Sequence, residues 1–368
     1  MPVAETQYFA LLRSALWDTP LVLEGEVEWN TVMKFAKHQA TNVLLSNKAL
    51  QMTGSNRPSD SMLSEMQSAM RINLMNHLQL QRILVSAVKL LQDHNIDPVL
   101  LKGFGLAMLY PNPDLRQFGD IDLYVGLGDF HEACKILRTL PGCYNWREEE
   151  DAGRHYNIEF GQYPMEVHRV SAELSGRKDS AIYESIEREG LYEKAQRVDF
   201  EGLGLKIPSK EFMVFYTFFH AWNHFLTTGV GWRQISDVAV TLHAYHGQLD
   251  IDKLYQWIVS MRLMKPWQTF GYLMVNNLGL SEDEMPFYSA SCQRRASKLY
   301  SRIMAEGNFR RTNRFKRNKP KGAGMKKLHS FVGIFVSFFQ LADLFPSQAF
   351  HAMCTDLKTG FRKKFQKK

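Results

Sequence analysis

Two aspartates separated by one residue, Asp120 and Asp122, lie in an otherwise apolar run and constrain the fold of this chain more than any other feature. Alternate residues of a β-strand point to the same face, so a strand here would place two carboxylates side by side. Ile121, Leu123 and Val125 would point to the opposite, apolar side. Two carboxylates this close repel each other unless a cation or a shared proton compensates them. The run therefore predicts a strand that carries a cation site.

The ion that this pair favours is Mg²⁺, because Mg²⁺ takes its ligands from one or two carboxylates and from substrate phosphates. The first chemical interpretation is therefore phosphate chemistry. The alternative is that Asp120 caps a turn and Asp122 faces water at the start of an ordinary strand. The surrounding sequence has to decide between the two.

Composition sets the broad class of protein. The chain has 368 residues, of which 45% are hydrophobic, so it can bury a large core and is not a disordered protein. Four cysteines without the C-x-x-C spacing of metal and redox sites predict free thiols in a reducing compartment, and we expect a cytoplasmic protein. The first residues lack the basic and apolar segments of a signal peptide.

The hydrophobic pattern changes along the chain. Apolar residues recur three and four apart through much of residues 5–95, which predicts helices. A turn signal at residues 95–98 then precedes a short apolar run, which predicts a buried strand. The predicted regions are an α-helical N-terminal region (1–95), an α/β core (96–172), an α-helical domain (173–305) and a basic tail with an amphipathic helix (306–368).

Two alternating runs, residues 156–160 and 165–170, predict a pair of strands joined at residues 161–164. Glu166 and His168 would share one face of the second strand. A neighbouring strand that places Glu166 beside the aspartate pair would complete a site of three carboxylates. That number is commonly used in phosphoryl chemistry with two metal ions.

Several short segments, in a fixed order, carry a family resemblance. They are residues 100–103, Tyr110, Arg116, and residues 119–123, 166–168, 220–224, 232–237 and 251–252. This set, over roughly residues 60–285, resembles the uncharacterised nucleotidyltransferase family of the polymerase-β-like superfamily. Its most specific part is the succession Lys-Gly, Arg, Asp-x-Asp and Glu-x-His. One departure is that Lys102-Gly103 occupies the turn where the wider superfamily has a Gly-Ser dipeptide.

The resemblance implies a fold and a mechanism. The fold would be α+β, with a minimal nucleotidyltransferase mixed-sheet core flanked by α-helical N- and C-terminal segments. Asp120 and Asp122 would bind two Mg²⁺ ions, and Glu166 would help to hold the catalytic ion. An acceptor hydroxyl would attack the α-phosphate of a nucleoside triphosphate, and pyrophosphate would leave. Glu166 is also our candidate for accepting the proton of the attacking oxygen.

The turn after the first predicted strand is the candidate site for the nucleotide. Backbone amides at a helix N-terminus and one ammonium group can neutralise a triphosphate, so we assign Lys102 and Gly103 to nucleotide binding. The alternative for Lys102 is a solvated lysine at a strand end. A dinucleotide fingerprint would need a glycine where Met108 stands, and the sequence has no P-loop. Arg116 either contacts phosphate or pairs with Asp114.

Two histidines lie four residues apart on a predicted helix. With Ser209 as the helix cap, His220 and His224 would lie on one face. The pair lacks the His-Glu-x-x-His pattern of a metalloprotease, which excludes that reading. Surrounding aromatic residues favour a buried helix whose imidazoles are satisfied by Arg233 or Asp237. The candidate cleft or acceptor residues are His168, His220, His224, Arg233 and Asp237.

The net charge of +7 is unevenly distributed. Residues 310–368 contain 15 of the 45 basic residues and 2 of the 38 acidic residues, so the tail has a net charge of +13. The rest of the chain has 30 basic and 36 acidic residues, a net charge of −6. The apolar stretch at residues 328–345 is too short and interrupted for a membrane span, which needs about 20 apolar residues. It suits an interfacial helix that contacts an anionic membrane surface or an acidic partner. The alternatives are docking on the body and, less favoured, nucleic-acid binding.

Several functions remain open from the sequence. The first is a Mg²⁺-dependent nucleotidyltransferase that acts on a hydroxyl or phosphate acceptor, in a setting of surface-polysaccharide metabolism that only the resemblance suggests. The second is a catalytically inert nucleotide-binding or regulatory relative with the same fold. The third is a transferase that acts on RNA or protein. Intact Asp120, Asp122 and Glu166 favour an enzyme.

Overall fold

The computed structural model describes residues 2–145, 154–174, 177–308 and 341–350, together with single positions between 322 and 354. Twelve α-helices and seven strands lie within these residues. The basic residues of the predicted tail lie outside the described part of the chain.

The N-terminal region is helical, as the periodicity predicts. Its helices are α1 (Val3–Trp17), α2 (Trp29–Gln39), α3 (Asn42–Ala49) and α4 (Asp60–Asp93). Helix α4 begins where the Ser59 side chain accepts a hydrogen bond from the backbone N–H of Met62, which satisfies one free donor of the first turn. It ends before Asn95, whose positive φ of 63° lets the chain reverse toward the sheet.

One mixed sheet of seven strands forms the centre of the molecule, in the order β3-β4-β5-β2-β1-β7-β6. The β2/β5 and β1/β7 pairs are parallel and the other pairs are antiparallel. The strands are β1 (Val99–Leu100), β2 (Ile121–Tyr124), β3 (Cys143–Asn145), β4 (His155–Phe160), β5 (Tyr163–His168), β6 (Gln196–Phe200) and β7 (Leu203–Ile207). This mixed sheet with flanking helices confirms the predicted fold class.

The β4/β5 hairpin has a tighter turn than the sequence predicts. Phe160 pairs with Tyr163, so only Gly161 and Gln162 lie in the loop instead of residues 161–164. Gly161 has a φ of +64°, a conformation that glycine adopts without steric cost. The shorter loop places His155 directly opposite His168.

The β6/β7 hairpin is absent from the sequence-based prediction, which has only helices after residue 173. Its turn residues Glu201 and Gly202 both have positive φ, 55° and 74°. Two such residues allow the tight turn that matches strand twist, but Glu-Gly is not the Asn-Gly or Asp-Gly pair that usually marks it. Because β7 pairs with β1, the sheet extends well beyond the predicted core.

Helices cover the sheet and form the C-terminal half. They are α5 (Phe104–Ala107), α6 (Gly126–Leu137), α7 (Arg177–Arg188), α8 (Lys210–Thr227), α9 (Trp232–Ala244), α10 (Ile251–Ser260), α11 (Met264–Leu278) and α12 (Gln293–Glu306). Helix α8 begins at the predicted cap, where Ser209 accepts a hydrogen bond from the N–H of Phe212. It is buried along most of its length by aromatic side chains, which makes it the central helix of this half.

Residues 341–350 dock on the body of the protein. The Phe345 ring is 1% exposed and meets the ring of Trp222 edge-on, with centroids 4.9 Å apart. Lys298 on α12 pairs with Asp343 at 2.6 Å. Residues 341–350 of the tail therefore pack on the body, and contact of the predicted stretch at residues 328–345 with a membrane or an acidic partner stays a prediction. Among the described residues, no helix is long and apolar enough to cross a membrane.

Residues 341–350 should stabilise the protein mainly through the Phe345 ring. We expect Phe345→Ala to lower the free energy of unfolding by about 3 kcal/mol, because it leaves a cavity against Trp222. The matched control is Phe350→Ala on the same segment, where the side chain is 59% exposed and the expected change is below about 0.5 kcal/mol. Urea denaturation measures both values, and equal values for the two variants would contradict the docking.

Candidate active site

A cavity of about 240 Å³ lies between the sheet and the helices α8 and α9. Acidic and cationic side chains occupy different parts of its wall. Its lining residues are Lys102, Gly103, Leu106, Arg116, Phe118, Asp120, Arg154, Glu166, Thr217, His220, His224, Arg233, Gln234 and Asp237. Most of the sequence-predicted site residues therefore border one space.

The three predicted carboxylates come together because β2 and β5 are adjacent parallel strands. Their register places Asp122 directly opposite Glu166. Asp120 lies just before β2, and both Asp120 and Glu166 line the cavity. Asp122 is fully buried behind them. The negative charge of Asp122 is the largest cause that raises the pKa of Asp120. Burial and the charge of Glu166 raise this pKa further.

Asp122 is compensated by two cationic or donor groups. Its Oδ1 atom lies 3.0 Å from the Lys102 ammonium and 2.9 Å from Nε2 of His168. Burial alone would raise the pKa of Asp122, but these two neighbours outweigh it and hold the pKa well below its usual range. The second oxygen, Oδ2, is buried and has no hydrogen-bond partner within the described part of the chain. Asp122 is therefore ionised, with one oxygen left for a further ligand.

Glu166 lies among nitrogen atoms. Its Oε2 atom is 3.3 Å from His168 Nε2, 3.7 Å from His155 Nε2 and 3.8 Å from the Arg154 guanidinium. Burial would raise the pKa of Glu166, but the hydrogen bond from His168 and the nearby histidines lower it. The side chain is 23% exposed, so this carboxylate is ionised and reachable from the cavity.

The Lys102-Gly103 turn approaches the aspartate loop closely. Gly103 has φ 62° and ψ −115°, a backbone conformation that favours glycine. A Cβ atom here would also lie 3.4 Å from the carbonyl oxygen of Asp120. The turn leads into α5, a helix of only one turn. Glycine at 103 thus lets the chain pass close beside the aspartate loop and directs Lys102 toward Asp122.

Arg116 forms a buried ion pair with Asp237 on α9. Its Nε and Nη2 atoms donate to the two carboxylate oxygens at 2.7 and 2.9 Å. A third donor, Nη1, binds the carbonyl oxygen of Gly103 at 3.0 Å, and Tyr110 donates to Asp237 at 2.7 Å. The alternative pairing of Arg116 with Asp114 is therefore wrong, since Asp114 is an exposed residue beside His77. Arg116 also lines the cavity, and its contact with phosphate stays a prediction.

The two histidines of α8 face the cavity from the helical wall, on one face of the helix as predicted. Nε2 of His220 lies 2.9 Å from Nε2 of His224, and Nδ1 of His224 lies 2.7 Å from the Thr228 hydroxyl. The sequence predicts that Arg233 or Asp237 satisfies these imidazoles. In the structure, Arg233 instead donates to the carbonyl oxygen of Gln117, and Asp237 accepts from Arg116.

Burial and neighbouring cations keep both imidazoles neutral. The pKa of His220 lies well below its usual value because of burial and the charge of Lys102. Burial, Lys102 and Arg233 lower the pKa of His224 to about 4. At neutral pH each ring therefore has one donor and one acceptor nitrogen.

Comparison with known proteins identifies the family of this chain. The family described as uncharacterised nucleotidyltransferase matches residues 25–278, more than half of the chain. This chain belongs to that family. A crystal structure of an antigenic nucleotidyltransferase-like protein from Paracoccidioides brasiliensis is similar over 58% of this chain and 94% of that one, at 13% identity and a TM-score of 0.36. A search of curated proteins found no match.

Several residues in or beside the cavity of this nucleotidyltransferase family member are not predicted by the sequence. Arg154 precedes β4, Thr217 lies on α8, and His155 begins β4 beside the site. A two-residue turn at Gly161-Gln162 would have predicted the pairing of His155 with His168, because loop length fixes the register of a hairpin. No comparable local signal marks Arg154 or Thr217.

The residues present suit a divalent cation. Asp122 has a buried oxygen without a hydrogen-bond partner among the described residues, and Glu166 is ionised. The charge of Asp122, burial and the charge of Glu166 raise the pKa of Asp120. Carboxylate oxygens are the ligands that Mg²⁺ prefers. Asp120, Asp122 and Glu166 are therefore the residues that could hold it.

A double-mutant cycle tests whether the Arg116–Asp237 ion pair joins the sheet to helix α9. We expect Arg116→Met and Asp237→Leu each to lower the free energy of unfolding by about 3–5 kcal/mol, because each single change leaves the partner's charge buried and unpaired. The Arg116→Met/Asp237→Leu double variant should lose less than the sum of the two single changes. Urea denaturation of all four proteins measures this coupling, and additive losses would show that the pair does not act as a unit.

His224 gives a pH-dependent test. In the unfolded chain a histidine binds a proton near pH 6.5, whereas native His224 does so only near pH 4. The unfolded state therefore binds more protons between these values, and stability falls as the pH drops through this window. Between pH 7.5 and 5, the free energy of unfolding of His224→Gln should therefore fall by about 2 kcal/mol less than that of wild type.

Urea denaturation at pH 7.5 and 5 checks this expectation. The matched control is His131→Gln, since His131 is an exposed histidine on α6. His131→Gln should keep the wild-type loss. An unchanged loss in His224→Gln would show that protonation of His224 does not oppose the native state.

Proposed function

We propose that this protein is a metal-dependent nucleotidyltransferase that moves a nucleoside monophosphate from a nucleoside triphosphate to a hydroxyl or phosphate acceptor. The observation that carries the proposal is the parallel register of β2 and β5, which sets Asp122 opposite Glu166 with Asp120 two residues before. Membership of the uncharacterised nucleotidyltransferase family supports the same reaction class.

The proposed metal ligands are Asp120, Asp122 and Glu166. Two divalent ions bound there would neutralise the carboxylates and stabilise the attacking and leaving oxygens of an in-line displacement. We propose Mg²⁺ as the ion, since the three ligands are oxygen donors and the substrate supplies phosphates.

Cationic side chains beside the carboxylates suit the phosphates. Lys102, Arg154 and Arg233 all line the cavity, so they can bind the triphosphate with the α-phosphorus near the carboxylates. Arg116 holds the Gly103 carbonyl and so fixes the turn that carries Lys102. In the reaction a bond forms between the acceptor oxygen and the α-phosphorus, and the bond from this phosphorus to pyrophosphate breaks.

The acceptor proton needs a base. Glu166 is ionised and partly exposed, so it can take the proton of the attacking hydroxyl and pass it to solvent. His220 and His224 stay neutral at physiological pH, so they can orient the acceptor by hydrogen bonds without repelling a cation. The acceptor belongs, in this proposal, to surface-polysaccharide or related metabolism. Contact of the basic tail with an anionic membrane or an acidic partner remains part of the proposal.

A second candidate is a nucleotide-binding relative without transferase activity. The contact of Lys102 with Asp122 favours it, because the ammonium already compensates a carboxylate that an active enzyme would use for metal. Under this reading Lys102 would stay on Asp122 when nucleotide binds. Transfer to RNA or to a protein side chain is a further version of the enzyme, distinguished by the product that receives the label.

Label transfer tests the proposal. We expect the purified protein, with Mg²⁺, a metabolite extract and one of the four α-labelled nucleoside triphosphates, to move label to a new product. Asp122→Asn should reduce transfer at least about a hundredfold, because it removes charge at the reacting centre. The matched control Asp129→Asn changes an exposed aspartate at the start of α6 and should keep wild-type transfer.

The outcomes separate the two candidates. Transfer by wild type and Asp129→Asn but not by Asp122→Asn supports the enzyme, and the labelled base and product name its substrates. Nucleotide binding without transfer supports the binding relative. Equal transfer by all three proteins would contradict the role of Asp122.

A further inference from the structure

Two histidines and Glu166 form a second group of potential metal ligands beside the carboxylates. His155 and His168 are direct partners across the β4/β5 hairpin, and Glu166 lies on the same face of β5 as His168. One ligand atom from each of the three side chains lies within 4.8 Å of the other two. The Asp120 carboxylate is not part of this group.

Two of the three donor–donor distances are close to those of a coordination site, and the third is at most 4.8 Å. Metal–nitrogen bonds of about 2.0–2.1 Å in tetrahedral geometry put neighbouring donors about 3.4 Å apart. Oε2 of Glu166 lies 3.3 Å from Nε2 of His168 and 3.7 Å from Nε2 of His155. Small side-chain movements would therefore bring the three atoms around one ion.

A cation can bind the three ligands once one hydrogen bond opens. Nδ1 of His155 accepts a hydrogen bond from Nε of Arg154 at 3.2 Å, so an ion at Nε2 requires this contact to open and the ring proton to move to Nδ1. His155 and Glu166 are 24% and 23% exposed, which opens a path from the solvent. The Arg154 guanidinium lies 3.8 Å from Glu166, beyond hydrogen-bonding distance, so it leaves the oxygen free to bind.

His168 can change partners. Its Nε2 atom contacts Asp122 at 2.9 Å, while Nδ1 is buried and has no hydrogen-bond partner in the part of the chain that the structure describes. When Nε2 binds an ion, a proton on the ring is carried by Nδ1. Asp122 would keep its contact with Lys102.

We propose that His155, Glu166 and His168 bind a first-row transition-metal ion of the Zn²⁺ type. Glu166 is then shared with the proposed Mg²⁺ site, and Mg²⁺ does not displace the ion from the two histidines. Imidazole nitrogens suit zinc and its neighbours, whereas Mg²⁺ prefers an all-oxygen shell. The three protein ligands leave a coordination position open to water or substrate, as catalytic zinc sites do. The role of this ion at a reacting phosphate rests on the proposed function, but its binding does not.

Metal binding tests the site directly. The full chain is freed of metal with a chelator and titrated calorimetrically with Zn²⁺ in the presence of excess Mg²⁺. We expect wild type to bind Zn²⁺ at a site that His155→Gln weakens at least about tenfold. His131→Gln changes an exposed histidine of α6 and is the matched control, with wild-type affinity expected.

Co²⁺ provides a second measurement. A four-coordinate Co²⁺ complex absorbs visible light far more strongly than a six-coordinate one, so wild type and His131→Gln should show the strong band and His155→Gln should lose it. Circular dichroism checks that His155→Gln is folded. If this variant does not fold, the wild-type Co²⁺ spectrum and the Mg²⁺ competition still decide whether the proposed Zn²⁺ site exists.

Several results would overturn the proposal. They are equal Zn²⁺ affinity in wild type and a folded His155→Gln, no Zn²⁺ binding by wild type, or displacement of Zn²⁺ by Mg²⁺. Zn²⁺ binding that depends on His155, without label transfer, would leave this site standing and overturn the proposed enzyme. Label transfer with Mg²⁺ in a protein that binds no Zn²⁺ would support the proposed enzyme and overturn this site.

Discussion

The buried ion pair between Arg116 and Asp237 holds the two walls of the cavity together. Arg116 comes from the loop before β2 and also binds the Gly103 carbonyl, while Asp237 belongs to α9. Two parallel hydrogen bonds fix the angle as well as the distance between the groups. The sheet that carries the carboxylates and the helices that carry the histidines are therefore joined by a buried contact of fixed geometry.

The charges around the cavity depend on this arrangement. Asp122 can stay ionised without solvent only because Lys102 and His168 lie beside it, and the Lys102 turn is held in place by Arg116. The same carboxylate charge raises the pKa of Asp120. Burial without compensation would have neutralised these groups. The site thus keeps several charged side chains close together at low exposure, which is the condition in which they attract ions and phosphates most strongly.

Sequence reasoning found what depends on local pattern. The spacing of Asp120 and Asp122 predicted the strand, and Glu166 was predicted to join them, which the β2/β5 pairing allows. Partners that are distant in sequence could not be predicted in this way, because the pairing of Arg116 with Asp237 spans more than a hundred residues. His155 was missed because its position depends on a hairpin loop that is two residues shorter than expected. The β6/β7 hairpin was missed because its turn uses an unusual pair of residues.

Helix α8 has the cavity on one side and the C-terminal segment on the other. His220 and His224 face the cavity, whereas Trp222 and Phe225 receive the Phe345 ring. The two sites are thus separated by about one helix diameter, roughly 10 Å. If a ligand at the histidines shifts α8 and so alters the docking free energy of residues 341–350, docking alters the affinity for that ligand by the same factor. In that case residues 341–350 would report on what the cavity binds.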